Sequence, residues 1–443
     1  MIVLKFGGTS VGNARMMEKT LDIVAETLDR APLLITSAMT KVTDALLHLA
    51  DLASRQGREE ALAAIKELHE LHRLTALELL GDGSRDCLLK IEAMFAELTS
   101  IVRGLCLIRE VSPRSRDAVV SFGERLSTTI LYYRALQRGI SVDFVDARDV
   151  IKTDDHFGSA NPLKKETWKA SAALLKVRKS HLVISQGFIG STLSGVTTTL
   201  GRGGSDWSAT IFGAALGAEE VQIWTDVDGI MTTDPRIVPS AKVLDSISYE
   251  EAAELSYFGA KVIHPSTIQP AVERGIPVWV KNTKNPAAIG TVIRPDVTDR
   301  GLKAIAGKKN ITVITVKSSH MLNAYGFLRS IFQVFEDHKV SVDLVATSEV
   351  TVSVTVDDTT HLKAIKHELE RFAEVQIEEH QSIVSLVGRD LWKNASFMAR
   401  AFGALEGISV RLVSMGSSDI NLSLVVSREQ LEETIKKLHD ALF

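Results

Sequence analysis

Six short β-rich runs alternate with helical patterns along the first two-thirds of the chain, and no other feature narrows the fold so far. They are Ile2 to Phe6, Pro32 to Thr36, Ser141 to Asp146, His181 to Gln186, Val221 to Thr225 and Pro277 to Val280. Strands separated by helices predict an α/β fold with a mostly parallel sheet between helices. Between Thr43 and Arg116 the rhythm changes to charged amphipathic helix, as in Glu59-Glu60-Ala61-Leu62-Ala63-Ala64-Ile65-Lys66-Glu67-Leu68. A helical insertion near 44–116, capping one end of the sheet, is expected. Asn, Lys, Pro, Gly and Asp gather between Asn282 and Lys309, including Asn285-Pro286 and Arg294-Pro295-Asp296. This composition predicts a first domain over 1–293 and a linker over 294–310.

The remainder reads as a duplication. Phe332-Gln333-Val334-Phe335 leading to Val340-Ser341-Val342-Asp343-Leu344-Val345 matches Phe402-Gly403-Ala404-Leu405 leading to Ile408-Ser409-Val410-Arg411-Leu412-Val413. Each copy continues into an alternating strand and an amphipathic helix, so two βαββα-type units are expected at 311–378 and 379–443. Whether strands are shared between them is open at this level.

At 443 residues the chain has room for two to four domains. With 45% hydrophobic and 24% charged residues it has the balance of a folded globular protein. A net charge of -4 gives no basic field for a nucleic-acid backbone, so small polar ligands are the expected partners. Two cysteines, Cys87 and Cys106, are too few for a disulfide framework, which suits a reducing cytoplasm. The N-terminus lacks the pattern of a secretory signal and no apolar run has the length of a membrane span. None of the 12 histidines forms a metal-binding pattern, so no protein-held metal is expected, and His264 and His320 read as structural.

Three segments carry chemistry. Lys5-Phe6-Gly7-Gly8-Thr9-Ser10-Val11 follows the first strand; its glycines allow a backbone turn to approach phosphate oxygens and its lysine supplies charge. A plain hinge between strand and helix would read the same way. No Walker A string occurs. In Thr197-Thr198-Thr199-Leu200-Gly201-Arg202-Gly203-Gly204-Ser205-Asp206 an arginine sits among three glycines just before a helical pattern. Such a loop suits an anion, with Arg202 able to grip a carboxylate by two bonds. The third, Trp224-Thr225-Asp226-Val227-Asp228-Gly229-Ile230-Met231-Thr232-Thr233-Asp234-Pro235-Arg236, begins where a strand ends, the usual place for ligands in open α/β sheets.

Together with Ser121-Phe122-Gly123-Glu124-Arg125-Leu126-Ser127 and Phe258-Gly259-Ala260-Lys261-Val262-Ile263-His264-Pro265, these segments resemble the amino-acid kinase fold and, specifically, the aspartate kinases. The resemblance spans the chain, with the segments in the family's order. It implies phosphoryl transfer from ATP, with Mg2+ arriving on the nucleotide, to the side-chain carboxylate of L-aspartate. The product would be 4-phospho-L-aspartate, at the head of the lysine, threonine and methionine branch. By the same resemblance the nucleotide site maps onto Lys5, Phe6, Gly7, Gly8, Thr225, Asp226, Met231, Arg236 and Lys261, and the aspartate site onto Thr43, Glu124, Arg202, Gly203, Gly204 and Ser205. Lys5, Lys261 and Asp206 are the implied catalytic residues. Relatives commonly carry Tyr where this chain has Met231, and the segment before Thr43 departs from the usual small-residue turn.

The duplicated units look like ACT domains, ferredoxin-like modules that pair and bind free amino acids. Here the likeness is to lysine-sensitive aspartokinases, through Met321, Gly326-Phe327-Leu328, Val342-Asp343 and Ser348-Glu349. It implies L-lysine as effector and a homodimer or homotetramer formed through these units. Two other readings stay in play: an amino-acid kinase acting on glutamate, acetylglutamate, carbamate or UMP, and a silent amino-acid sensor.

Overall fold

Each of the six predicted runs forms a strand in the computed structural model: Val3–Phe6, Leu33–Thr36, Val142–Val145, Leu182–Gln186, Val221–Thr225 and Val278–Asn282. The structure describes residues 1–55, 57–177, 180–259, 263–295, 297, 299–321, 325–416 and 418–443. These strands lie side by side in the order Val142–Val145, Leu182–Gln186, Leu33–Thr36, Val3–Phe6, Val221–Thr225, Val278–Asn282, and all five pairings are parallel. Thr291–Ile293 then pairs antiparallel with Val278–Asn282, and Ser246–Ile247 closes that edge. Val3–Phe6, Leu33–Thr36 and Leu182–Gln186 are buried throughout, as central parallel strands covered on both faces must be.

The expected insertion is helical, as Val42–Ser54, Arg58–Leu80, Arg85–Ile108 and Pro113–Val120. Its two long helices cover other helices on one face of the sheet. Leu68, Leu79, Phe95 and Leu98 share one core with Met17, Leu21, Ile130 and Leu131, and that core reaches Leu4, Leu34 and Ile184 on one face of the sheet. Arg58–Leu80 and Arg85–Ile108 therefore form an outer helical layer over Ala14–Ala25 and Phe122–Gln137, because their apolar stripes find other helices to cover.

The chain divides into two compact units. The first is Met1–Ile230, Asp245–Tyr249 and Ile263–Asp296; the second is Met231–Leu244, Glu250–Val262 and Val297–Phe443. The second holds a six-stranded antiparallel sheet in the order Val345–Thr347, Thr351–Val356, Gly301–Lys317, Glu374–Arg389, Asn421–Ser427, Leu412–Met415. Here the expected linker over 294–310 needs correction, since from Gly301 onward it is a 17-residue strand. That strand and Glu374–Arg389 run through both modules, pairing Gly301 with Arg389 at one end and Lys317 with Glu374 at the other. The boundary expected at 378/379 thus falls inside a strand. Midway, Asn310 (φ 62°) and His380 (φ 60°) take left-handed conformations beside register shifts, a bulge that bends the shared strands. Two cores flank the bend, one around Ile314, Ile331, Phe335 and Leu369, the other around Leu386, Leu405, Leu424 and Leu438. Val238 is buried in the second of these cores, and Ile305 N donates to Thr232 O at 2.7 Å, so the segment after Ile230 folds with the repeats. No helix among the described residues is long and apolar enough to cross a membrane.

Candidate active site

Neighbouring strand ends supply the first pieces of the site. Val3–Phe6 delivers Lys5, which is buried, with Nζ 2.6 Å from Asp206 Oδ1. Phe6, one residue on, faces the other way: it is fully buried and stacked on Trp224 with ring centroids 5.6 Å apart. Only its backbone is available to a ligand. After it the chain turns at Gly7 and Gly8. A Cβ on Gly8 would come within 3.0 Å of Ala38 O, and Thr40 Oγ1 donates to Gly8 O at 2.9 Å, so the turns after the first two strands are tied together.

The glycine-rich segment forms the opposing loop. Strand Thr197–Thr199 leads to Gly201 (φ 77°), Arg202 and Gly203 (φ 70°), then to helix Gly204–Leu216. Both flanking residues sit in the left-handed region that glycine occupies at least cost. Space adds to the demand, for a Cβ on Gly203 would meet Thr267 Cγ2 at 2.8 Å and one on Gly204 would meet Phe188 Cδ2 at 2.7 Å. Arg202 is exposed and has no hydrogen bond or ion pair among the described residues. Asp206, in the first turn of the helix, is the residue that holds Lys5.

These groups surround a cavity of about 790 Å³ lined by Lys5, Gly8, Thr43, Glu124, Arg202, Gly203, Gly204, Ser205 and Asp206, among others. All the expected aspartate-site residues are therefore gathered on it. Glu124, in helix Phe122–Gln137, is 3% exposed. Its Oε1 accepts the Ala38 N–H at 3.1 Å, while Oε2 is buried without a partner among the described residues. Burial pushes this carboxyl up to about 8, against the pull of the Ala38 N–H and the charge of Lys5. Asp117 also lines the cavity, and no motif announced it. Its carboxylate accepts from Gly158 N at 2.9 Å, Thr199 N at 2.8 Å and Thr199 Oγ1 at 2.8 Å. Burial raises its pKa and these three donors hold it down.

The expected nucleotide residues are less concentrated. Gly7, Thr225 and Asp226 follow or end adjacent strands but do not line this cavity. Thr225 O accepts from Thr283 N at 2.9 Å, and Asp228, within the third motif, accepts from Asn282 Nδ2 at 2.7 Å and Asn285 Nδ2 at 3.2 Å. Met231 and Arg236 belong to the second unit, where Arg236 pairs with Asp234 at 2.6 Å. Lys261 lies outside the described residues. His264 caps helix Pro265–Val272, with Nδ1 2.8 Å from Ser266 Oγ, while nothing is described of the His320 side chain.

In the repeats, Gly326 (φ 86°) precedes helix Phe327–Asp337, whose Leu328 is 42% exposed. Met321, Phe327 and Val342 pack against the first module's core, and Ser348 and Glu349 are exposed. Asp343 keeps its side chain out of solvent. Its side chain is 1% exposed; Oδ1 takes Lys308 Nζ at 2.9 Å and the Tyr257 hydroxyl, and Oδ2 is buried without a partner among the described residues. Lys308 also pairs with Asp357 at 2.9 Å and lies over the Tyr257 ring.

Comparison with known proteins bears on both units. The amino acid kinase family matches residues 1–282, and the ACT domain matches 314–372 and 384–442. Lysine-sensitive aspartokinase 3 of Escherichia coli K12 is 38% identical over 455 residues, spanning 100% of this chain and 99% of that protein. Chloroplastic aspartokinase 3 of Arabidopsis thaliana is 38% identical over 463 residues, spanning 100% of this chain and 81% of that protein. Among solved structures, E. coli aspartokinase III in complex with aspartate and ADP (R-state) matches with a TM-score of 0.85 at 38% identity, both chains covered in full. The same enzyme in complex with lysine and aspartate (T-state) matches with a TM-score of 0.82 at 37% identity, over 100% of this chain and 99% of that one. With the likeness running from end to end and the motifs falling on one parallel-sheet unit and one paired-repeat unit, the chain belongs to the amino acid kinase family, among its aspartokinases.

Proposed function

We propose that this enzyme transfers the γ-phosphoryl group of ATP to the side-chain carboxylate of L-aspartate, giving 4-phospho-L-aspartate and ADP. One arrangement carries the reading: two cations, Lys5 and Arg202, share a cavity with the buried carboxyl group of Glu124. Both reactants are anions that repel each other, so catalysis rests on holding them in line and neutralising charge on the migrating group. Arg202, free of partners among the described residues, suits one carboxylate of the amino acid, and Oε2 of Glu124, likewise unpartnered among them, suits its ammonium. Lys5 serves the phosphoryl group, and Asp206 keeps its ammonium in place. No general base is needed, because an aspartate side chain with a pKa of about 3.9 is already ionised.

For the nucleotide, the Gly7-Gly8 turn beside Lys5 and the polar groups of Thr225, Asp226 and Asp228 offer a fitting donor and acceptor set. Met231, Arg236 and Lys261 join them on sequence resemblance, and Mg2+ enters on the phosphates. The second unit is read as the sensor of L-lysine. Supporting this, Asp343 has a buried oxygen without a partner among the described residues, though an effector ammonium must contend with Lys308. Exposed Leu328, Phe332 and Val345 support pairing of this unit into a homodimer or homotetramer, and a cytoplasmic location goes with the reading.

The test is formation of acyl phosphate from MgATP, trapped with hydroxylamine, with aspartate against glutamate and with lysine titrated in. Turnover with aspartate that lysine suppresses is expected. Turnover with glutamate alone would overturn the substrate, and turnover indifferent to lysine would overturn the effector.

A further inference from the structure

Asp117 lies in helix Pro113–Val120, is 2% exposed, and spends its whole carboxylate on two loops remote in sequence. Oδ2 accepts from Gly158 N at 2.9 Å and Thr199 N at 2.8 Å, and Oδ1 from Thr199 Oγ1 at 2.8 Å. Thr199 is the last residue of its strand, three before Arg202. The loops also touch each other: Ala160 N donates to Thr199 O at 2.9 Å, and a Cβ on Gly201 would lie 3.1 Å from Gly158 O. Beyond this point the backbone carrying Arg202 has glycine on both sides, and the guanidinium has no partner among the described residues. The neighbouring Arg116 does not neutralise Asp117, being paired with Asp51 at 2.7 Å. A buried carboxylate held by neutral donors alone is an expensive way to pack a helix, so its geometry invites another purpose.

We propose that Asp117 is a positioning residue for the acceptor site, fixing the strand end at Thr199 and thereby the place from which Arg202 meets the amino-acid carboxylate. The proposal rests on the reading of Arg202 given above. Asp117 touches neither reactant; it acts through Thr199 and Gly158. Losing it lets the Arg202 loop drift while the Lys5 side of the site, held by Asp206, stays as it is.

Steady-state kinetics on the full chain test this. Asp117→Ala is expected to raise KM for aspartate by at least about tenfold, the scale on which a misplaced binding group is felt, with KM for ATP within about twofold of the parent. Asp117→Asn keeps an oxygen for both backbone N–H groups and can donate to Thr199 Oγ1, so it should restore KM to within about threefold. Thr199→Val removes one donor and should fall between them; it decides the matter if Asp117→Ala does not fold by circular dichroism. Arg202→Ala runs beside them. If it leaves KM for aspartate unchanged, the reading of Arg202 falls and this proposal with it. If it raises that KM and the Asp117 and Thr199 variants do not, or if they raise both KM values alike, the proposal alone is overturned.

Discussion

A carboxyl group sealed beside an anion-handling cavity gives the site a pH dependence of its own. Glu124 is held near 8 by burial, so in the ligand-free site at pH 7 it carries a proton. An ammonium ligand needs the ionised form, and that proton must leave when aspartate binds. Aspartate affinity should therefore rise about tenfold per pH unit up to pH 8 and level off above it, measured by calorimetry between pH 6.5 and 9. Glu124→Gln should bind weakly and show no such slope. Folding feels the same group with the opposite sense. Between the ordinary carboxyl range and pH 8 the native state holds the proton and the unfolded chain does not, so this contribution to stability is lost as pH rises through that window. At Lys5 the outcome is catalytic: Lys5→Met should cost about 10²- to 10³-fold in kcat by the trapped acyl-phosphate assay, the range seen when one charge-stabilising group is removed. What could be read in advance at this scale followed sequence contiguity. Arg202, flanked by glycines, and Lys5, ahead of a glycine pair, stand out in one dimension. Asp117 does not, because its partners lie 41 and 82 residues away and nothing near it in sequence marks it.

At the scale of the element, the loop around Arg202 is the most demanding piece of backbone. Gly203→Ala places a side chain in the left-handed region, at about 1–2 kcal/mol, and against Thr267 as well. A lower melting temperature together with a raised KM for aspartate is expected, and an unchanged KM would show that the loop tolerates the shift. In the second unit the pair Lys308–Asp343 is nearly sealed, with side chains 16% and 1% exposed. Lys308→Met leaves that carboxylate without its cation and should destabilise the protein by about 3 kcal/mol in denaturant titration, with Asp343→Asn on the same background recovering part. Strands of the first unit were legible because buried parallel strands are short apolar runs bounded by turns. The strand Gly301–Lys317 was hidden by its own devices. A Cβ on Gly307 would meet Ile435 Cδ1 at 2.8 Å, and Asn310 supplies the left-handed bulge, so residues that usually announce a linker serve here to seat a helix and bend a strand.

For the whole molecule, the division between units does not follow the order of the chain. Two excursions, Met231–Leu244 and Glu250–Val262, leave the parallel-sheet unit and fold with the repeats before the segment that carries the repeats begins at Val297. Val238 lies in the core beneath Leu405 and Leu438, and Thr232 Oγ1 is 3.0 Å from His439 Nε2 in the last helix. A chain stopped after residue 296 would strand these segments without the core that buries them. Such a truncation is expected to be insoluble or inactive in the hydroxylamine assay, whereas independent domains in series would leave an active fragment. A change of composition marks a boundary near 293, but Val238 belongs to a core assembled from residues more than 60 positions downstream, which no local run announces. The consequence reaches those who would re-engineer the enzyme. Its sensor is not a cassette that can be exchanged at a single junction, since separating the two units means severing the backbone at five points. A chimaera with a foreign sensor must bring along that sensor's own versions of both excursions, or the graft will lack part of its interior from the start.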